Sequence, residues 1–75
     1  MPSKRVRFTY PPDLVHQPVV YDLGKQFLVT TNIRRANLDI DRGWAVIEIT
    51  GADSDIEEAL EWARGQGVRV DPAPD

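Results

Sequence analysis

The sequence predicts an α+β fold of the ferredoxin-like type, a βαββαβ sandwich with a four-stranded antiparallel sheet and two helices on one face. Three observations predict it. Apolar residues alternate with polar ones in several segments, an apolar stripe at helical spacing lies near the C-terminus, and Pro or Gly residues separate these segments. The 75 residues form one domain, with a core over about residues 4–71 and a frayed Pro/Asp-rich tail over 71–75.

The first strand and the first helix are each marked by the spacing of their apolar residues. Apolar and polar residues alternate from Val6 to Tyr10, which is typical of a strand with one buried face. Pro18 suits the first turn of a helix, and apolar residues follow it at helical spacing up to Phe27. We therefore expect the domain to begin with a strand followed by a helix.

The second predicted strand runs from Leu28 to Ile40, but its apolar phase changes partway. Val29 and Ile33 take odd positions, whereas Ala36, Leu38 and Ile40 take even positions. Because side chains alternate strictly in an unbroken strand, a one-residue bulge near residues 34–35 reconciles the two halves. Two short strands are the alternative.

The second half of the chain repeats the strand-helix-strand pattern. A tight turn ends at Gly43, which we expect to supply a positive φ, and a third strand follows over residues 44–50. Ser54 and Glu57 have the spacing of a capping box, so a helix is expected to begin there. Two glycines end that helix, and residues 68–70 make the last strand.

In this topology the second and fourth strands are the edges of the sheet. A long edge strand presents unpaired backbone groups and invites pairing with another chain. A domain of this size buries only about 60% of the surface that its unfolded chain exposes, so a partner would add stability. We therefore expect a homodimer, paired along the edge strand at Val29, Thr31, Asn32, Arg34 and Arg35.

Composition argues against several classes of partner. A formal net charge of −3 and a sequence pI near 5.0 argue against nucleic acid. An RNA platform with Phe8 or Tyr10 stacking on bases is a weak alternative, since both residues share the buried face with Val6. No apolar run has the length of a signal peptide or a membrane span, so we expect a cytoplasmic protein without direct membrane insertion.

The sequence predicts no enzyme, cofactor or metal site. Cysteine is absent, which excludes disulfides and thiolate metal sites. We find no nucleophile and base pair and no cofactor motif. His16 has no companion ligand at convincing spacing, so a surface or capping role is expected for it.

Five segments carry a family resemblance that covers residues 6–70. They are QPVV at the first helix, VTTNI at the second strand, GWAVIEITG at the third strand, IEEALEW in the second helix and GVRV at the end. In order and spacing they resemble the NIL domain, the module at the C-terminus of the ATPase subunit of methionine importers. The resemblance implies a ferredoxin-like fold, side-by-side dimerisation and, in the importers, binding of methionine to restrain transport.

The resemblance also implies a ligand site at the second strand. Asn32 matches the family's ligand-binding Asn, and Ile33 matches its apolar neighbour. Thr30 and Thr31 are further candidates for ligand contact, although threonine is also a simple β-former. Arg34 and Arg35 either bind a carboxylate or lie solvated along the strand edge. Leu28 and the arginine pair depart from the family pattern, which leaves the identity of the ligand open.

These observations predict a non-catalytic regulatory module that binds a small, methionine-like amino acid as a homodimer. Because the sequence holds no ATPase segment, we expect a separate partner, either a transporter or an enzyme of sulfur-amino-acid metabolism. The alternative is a ligand-free module for dimerisation or protein interaction. Trp44 falls on the less apolar face of its strand, so we expect it at a subunit contact or a pocket.

Overall fold

The protein consists of one four-stranded sheet and two main helices in a computed structural model that describes residues 2–15, 17–39 and 42–73. In chain order the elements are β1 (Ser3–Tyr10), a short 3-10 helix (Pro12–Leu14), α1 (Val19–Gln26), β2 (Thr30–Leu38), β3 (Gly43–Thr50), α2 (Asp53–Gly65) and β4 (Arg69–Pro72). The strand order is β2-β3-β1-β4, and neighbouring strands are antiparallel. The predicted ferredoxin-like fold is confirmed.

The core lies between the sheet and the two helices. Its largest fully buried side chains come from four elements, namely Phe8, Leu23, Ile47, Ile49 and Leu60. Burial of each such side chain stabilises the fold by about 1.5–3 kcal/mol. The predicted alternation is confirmed, since residues of β3 switch regularly between buried and half-buried.

Most residues of β2 lie outside this core. Eight of its nine residues are exposed. Its pairing with β3 slips by one residue between Ile33 and Arg35, which leaves Arg34 as the extra residue. The predicted bulge is thereby confirmed, and it returns Ala36 to the same face as Ile33.

The turn before β3 differs from the prediction. Gly43 does not have a positive φ, because it is the first residue of β3 and pairs with Leu38. A Cβ at Gly43 would meet the end of the Leu38 side chain, which is largely exposed and would have to shift. The Asp39 N–H donates to the Arg42 carbonyl at 2.7 Å. Residues 40–41 lie outside the described part of the chain.

α2 begins at Asp53, and the predicted capping box is wrong. Ala52 is the N-cap, no side chain bonds there, and Ser54 lies inside the first turn. The Glu57 side chain instead contacts β1, where the Lys4 Nζ donates a hydrogen bond to its Oε1 at 2.8 Å. The Glu57 carboxylate thus bonds to the ammonium of a residue on a neighbouring strand and not to a backbone N–H at the start of α2.

β4 lies later in the chain than predicted. The Val68 N–H donates to the Ala63 carbonyl at 3.2 Å, so Val68 belongs to the exit of α2 and not to the strand. Asp71 and Pro72 pair with β1, although the frayed tail was expected to begin at Asp71. An edge strand tolerates this proline because one side of the strand needs no hydrogen bond. Residues 74–75 are not described.

Candidate ligand-binding site and pairing edge

The two faces of β2 carry different side chains. Residues paired across neighbouring strands point to the same face of a sheet. Positions beside the buried residues of β3 point toward the helices, and we call this the helix-side face; the others point to the opposite, open face. The helix-side set is Thr31, Ile33, Ala36 and Leu38, and the open-face set is Thr30, Asn32, Arg35 and Asn37.

A cavity of about 160 Å³ lies between the helix-side face of β2 and the beginning of α1. We call this cavity the groove. Its walls are mostly apolar, and three of its side chains are largely exposed: Ile33 and Leu38 at 56% each and Tyr21 at 64%. Tyr10, Val19 and Ala36 also line it.

The groove arises from a mismatch in length between α1 and β2. The eight residues of α1 make a helix about 12 Å long, whereas the nine residues of β2 extend over about 30 Å. α1 therefore cannot cover the strand. Val19 and Leu23 anchor the helix in the core, while Tyr21 is exposed and lines the groove.

The groove suits a small apolar group. Pockets for drug-sized ligands measure about 300–1,000 Å³, so a cavity of this size accepts no more than one side chain. Its polar side chains include those of Tyr10 and Gln17. Burial raises the pKa of Tyr10, and its hydroxyl can donate or accept a hydrogen bond.

The sheet separates the four residues predicted to bind a ligand. Ile33 lines the groove, and Thr31 shares its face but is half-buried near Gly24. Thr30 and Asn32 are exposed on the open face. Within one copy, the Asn32 side chain therefore lies on the opposite face from the groove.

The five residues predicted to form the pairing edge also differ in position. β2 is an outer strand of the sheet. Val29 precedes it and packs against the core, half-buried. Arg34 stands at the bulge and Arg35 on the open face, both exposed. The accessible edge thus begins at Thr30.

Sequence reasoning missed most of the groove. The sequence pattern favours Tyr10 as a core residue and predicts no site role for Tyr21, Ala36 or Leu38. A signal existed for two of them, because Ala36 and Leu38 fall in phase with Ile33 once the bulge is counted. The signal for Tyr21 is an aromatic residue outside the buried stripe of its helix.

The two tryptophans lie on opposite layers of the fold. Trp44 is half-buried on the open face, with the Arg7 guanidinium carbon 4.7 Å from its ring centroid. Trp62 is half-buried on α2, with its ring centroid 6.0 Å from that of Phe27. Trp44 therefore lies away from the groove, on a face that a partner can reach.

The described ranges hold neither a candidate metal site nor a candidate membrane-spanning helix. These residues include no group of three or more His, Cys, Asp or Glu side chains arranged to hold a metal ion, and His16 lies outside them. None of the helices described has the length and apolar character to cross a membrane.

Comparison with known proteins identifies the family. The family model described as NIL domain matches residues 4–72. The chain is 29% identical over 69 residues to methionine import ATP-binding protein MetN 1 of Enterococcus faecalis, a match that covers 87% of this chain and 19% of that protein. The chain thus spans about a fifth of the length of this curated relative.

The fold is also similar to that of a solved structure. The crystal structure of the C-terminal domain of an ABC transporter ATP-binding protein from Enterococcus faecalis matches with a TM-score of 0.80 and 20% identity. That match covers 96% of this chain and 84% of that one, and at this identity it shows the fold alone. Since the family model matches nearly the whole sequence, the chain belongs to the NIL domain family.

Proposed function

We propose that this chain is a non-catalytic regulatory module that works as a homodimer and binds a small amino acid with an apolar, methionine-like side chain. The observation that carries the proposal is the position of the groove beside an uncovered edge strand. Family membership supports it, because one relative is by name a methionine import ATP-binding protein.

Pairing through β2 would satisfy the backbone groups along the outer side of this strand. A second copy added antiparallel, about a twofold axis perpendicular to the sheet, extends the sheet and keeps both helix-side faces on the same side. Ile33 and Leu38 of both copies then lie near the junction and lose exposed surface. The groove of each copy would open beside the new interface.

The available apolar surface favours a weak dimer. Full burial of an Ile or Leu side chain contributes about 1.5–3 kcal/mol, so covering the exposed part of Ile33 and Leu38 in both copies contributes about 3–7 kcal/mol. Association costs about 4–15 kcal/mol in lost freedom. Backbone hydrogen bonds and a bound ligand must supply the remainder, so ligand binding and pairing are expected to strengthen each other.

In this proposal the ligand's side chain enters the groove against Ile33, Tyr21 and Leu38. Its ammonium and carboxylate groups stay at the mouth, near the exposed Gln17 amide and the backbone of β2, while the largely buried Tyr10 lines the groove wall. The Asn32 side chain faces the other way, so Asn32 would contribute through its backbone. Thr30 and Thr31 would likewise contribute along the strand and not inside the groove.

The proposed output is a change in how the dimer meets a separate cytoplasmic partner. A transporter is the first candidate, because the relative's name is that of an importer component. An enzyme of sulfur-amino-acid metabolism is the second. Either partner would respond to the difference between the ligand-free and the ligand-bound dimer.

Sedimentation velocity with and without methionine tests the pairing. Ile33→Asp places a charge on the helix-side face and should give a monomer. Asn32→Asp places the same charge on the open face of the same strand and should leave the dimer intact. A wild-type protein that stays monomeric with methionine at every concentration would overturn the proposed pairing.

Calorimetric titration with methionine, homocysteine, leucine and glutamate tests the ligand. We expect binding of the apolar amino acids and none of glutamate, because the groove walls are apolar. A dimer that binds none of the four would leave the alternative function, a ligand-free pairing module. The position of Asn32 on the open face favours that alternative, since the residue matched to the family's ligand site does not line the groove.

A further inference from the structure

The open face of the sheet carries its own group of charged and aromatic side chains. Arg35 of β2 and Arg7 of β1 both pair with Val46 of β3, so the three stand in one row across the sheet. In the next row Thr9 separates Trp44 from Arg69. We call Arg7, Arg35, Arg69, Trp44 and Val46 the open-face cluster.

This face is cationic although the chain as a whole is acidic. Four arginines and two carboxylates occupy its paired strand positions. Arg5 pairs with Glu48 at 3.2 Å and Arg69 with Asp71 at 2.9 Å. The net charge of the face is therefore +2, in a chain whose formal net charge is −3.

Negative charge is concentrated on α2. That helix carries a single arginine, Arg64, and five carboxylates, namely Asp53, Asp55, Glu57, Glu58 and Glu61. α2 packs on the helix side of the sheet, so the two charge groups lie on different sides of the molecule. A face of one sign attracts partners of the other sign and orients them as they approach.

We propose that the open face docks an extended, acidic polypeptide segment with an apolar side chain near its centre. Carboxylates of the segment pair with Arg7 and Arg35, and the apolar side chain packs on Trp44 and Val46. Tryptophan and arginine are among the residues most enriched at the energetic centres of interfaces. This surface lies across the sheet from the groove, so the proposal does not depend on the ligand.

The size of the face favours a segment over a folded partner. Three strands of eight or nine residues and one of four, about 4.8 Å apart and rising about 3.3 Å per residue, give a face of about 450 Å². A stable interface between folded proteins buries about 800 Å² on each partner. One extended segment of about eight residues matches the length of β1 and β3.

A nucleic acid fits these observations less well. Single-stranded nucleic acids bind by stacking bases on exposed aromatic faces. Here the Arg7 guanidinium already covers one face of the Trp44 ring at 4.7 Å. The net charge of −3 also opposes a polyanion with one charge at every nucleotide.

Tryptophan fluorescence tests the proposal directly. The chain has two tryptophans, so Trp62→Phe leaves Trp44 as the only reporter and keeps an aromatic ring against Phe27. The probe is a synthetic glutamate-rich peptide of about eight residues with a central leucine, matching the strand length. We expect it to shift the Trp44 emission, with an affinity that falls as salt is added.

Matched variants locate the binding surface. Arg7→Gln combined with Arg35→Gln should weaken peptide binding by about tenfold, and Arg35→Gln alone by about threefold. Arg64→Gln removes a cation from α2 and should change the affinity by less than about twofold. Circular dichroism establishes whether each variant is folded. If the double variant does not fold, Arg35→Gln alone tests the role of the open face.

Three results would overturn the proposal. The first is a peptide with lysine in place of glutamate that binds as tightly as the acidic peptide. The second is equal binding by the wild type and the arginine variants. The third is a single-stranded RNA that binds more tightly than the acidic peptide, which would make the open face a nucleic-acid surface.

Discussion

Asn32 and Ile33 are adjacent in the chain, yet the sheet places their side chains on opposite faces. Ile33 pairs with Ile47 on the helix-side face, and Asn32 pairs with Glu48 on the open face. Two residues that a family resemblance joins into one site therefore belong to two surfaces of this monomer. An amino-acid ligand that fills the groove contacts the Ile33 side chain and not that of Asn32.

This separation predicts different effects of two alanine substitutions on methionine binding. Ile33→Ala removes an apolar wall of the groove and should weaken methionine binding by about tenfold, in line with the loss of a few buried methylene groups. Asn32→Ala should change it by less than about twofold. Calorimetric titration of both variants with methionine measures the two affinities. The reverse order would place the ligand on the open face.

Ile33 and Ile47 also allow a test of which isoleucine stabilises the monomer. They are paired across β2 and β3 on one face, but Ile47 is fully buried and Ile33 is 56% exposed. In dilute monomer, Ile47→Ala should lower the free energy of unfolding by about 2–5 kcal/mol. Ile33→Ala should lower it by less than about 1 kcal/mol. Urea denaturation measures both, and equal losses would show that Ile33 is part of the monomer core.

The close approach of Gly51 to the chain before β2 predicts a steric penalty. A Cβ on Gly51 would lie 2.9 Å from the Leu28 carbonyl oxygen and 3.1 Å from the Val29 Cγ1. Because a backbone atom cannot move aside cheaply, Gly51→Ala should destabilise the fold by about 1–3 kcal/mol.

Gly65 is the matched control for this substitution. It is the last residue of α2, and a Cβ there would meet nothing within 4 Å. Gly65→Ala should be neutral or stabilise the fold by up to about 1 kcal/mol, since alanine favours the helix. Thermal denaturation of both variants measures the difference between their stabilities. A Gly51→Ala variant as stable as Gly65→Ala would contradict the packing at Leu28.

Most of the fold was predictable because its elements follow from local periodicity. The alternation of β1 and β3 and the stripe of α2 each lie within a few residues of sequence. The bulge was predictable for the same reason, since Ile33 and Ala36 could share a face only with one extra residue between them.

The remaining features depend on residues far apart in the chain. The predicted capping box is wrong because α2 begins at Asp53 with Ala52 as its N-cap, and the Glu57 carboxylate instead accepts a hydrogen bond from Lys4, 53 residues earlier in the chain. The groove depends on the relative lengths of α1 and β2 and on where Val19 and Leu23 anchor the helix. No local pattern encodes these relations, which explains why the fold was predicted more fully than the candidate site.

The ion pair between Lys4 and Glu57 predicts how stability depends on pH. The ammonium donates a hydrogen bond to the Glu57 carboxylate at 2.8 Å and, with its charge, holds the pKa of that carboxyl below its usual range. A carboxyl with a lower pKa in the folded state binds fewer protons there than in the unfolded chain. The pair therefore stabilises the fold above the unfolded pKa, and this contribution is lost as the pH falls through the folded pKa.

Glu57→Gln should consequently lower the melting temperature at neutral pH and leave it unchanged once the pH lies well below the usual glutamate pKa of about 4.3. The effect should be small, because both side chains are about half exposed. Glu58→Gln removes the same charge at the next, exposed position while leaving the bond between Lys4 and Glu57 in place, and is the matched control. If Glu57→Gln destabilised the fold equally in acid, Glu57 would act through packing and not through its bond to Lys4.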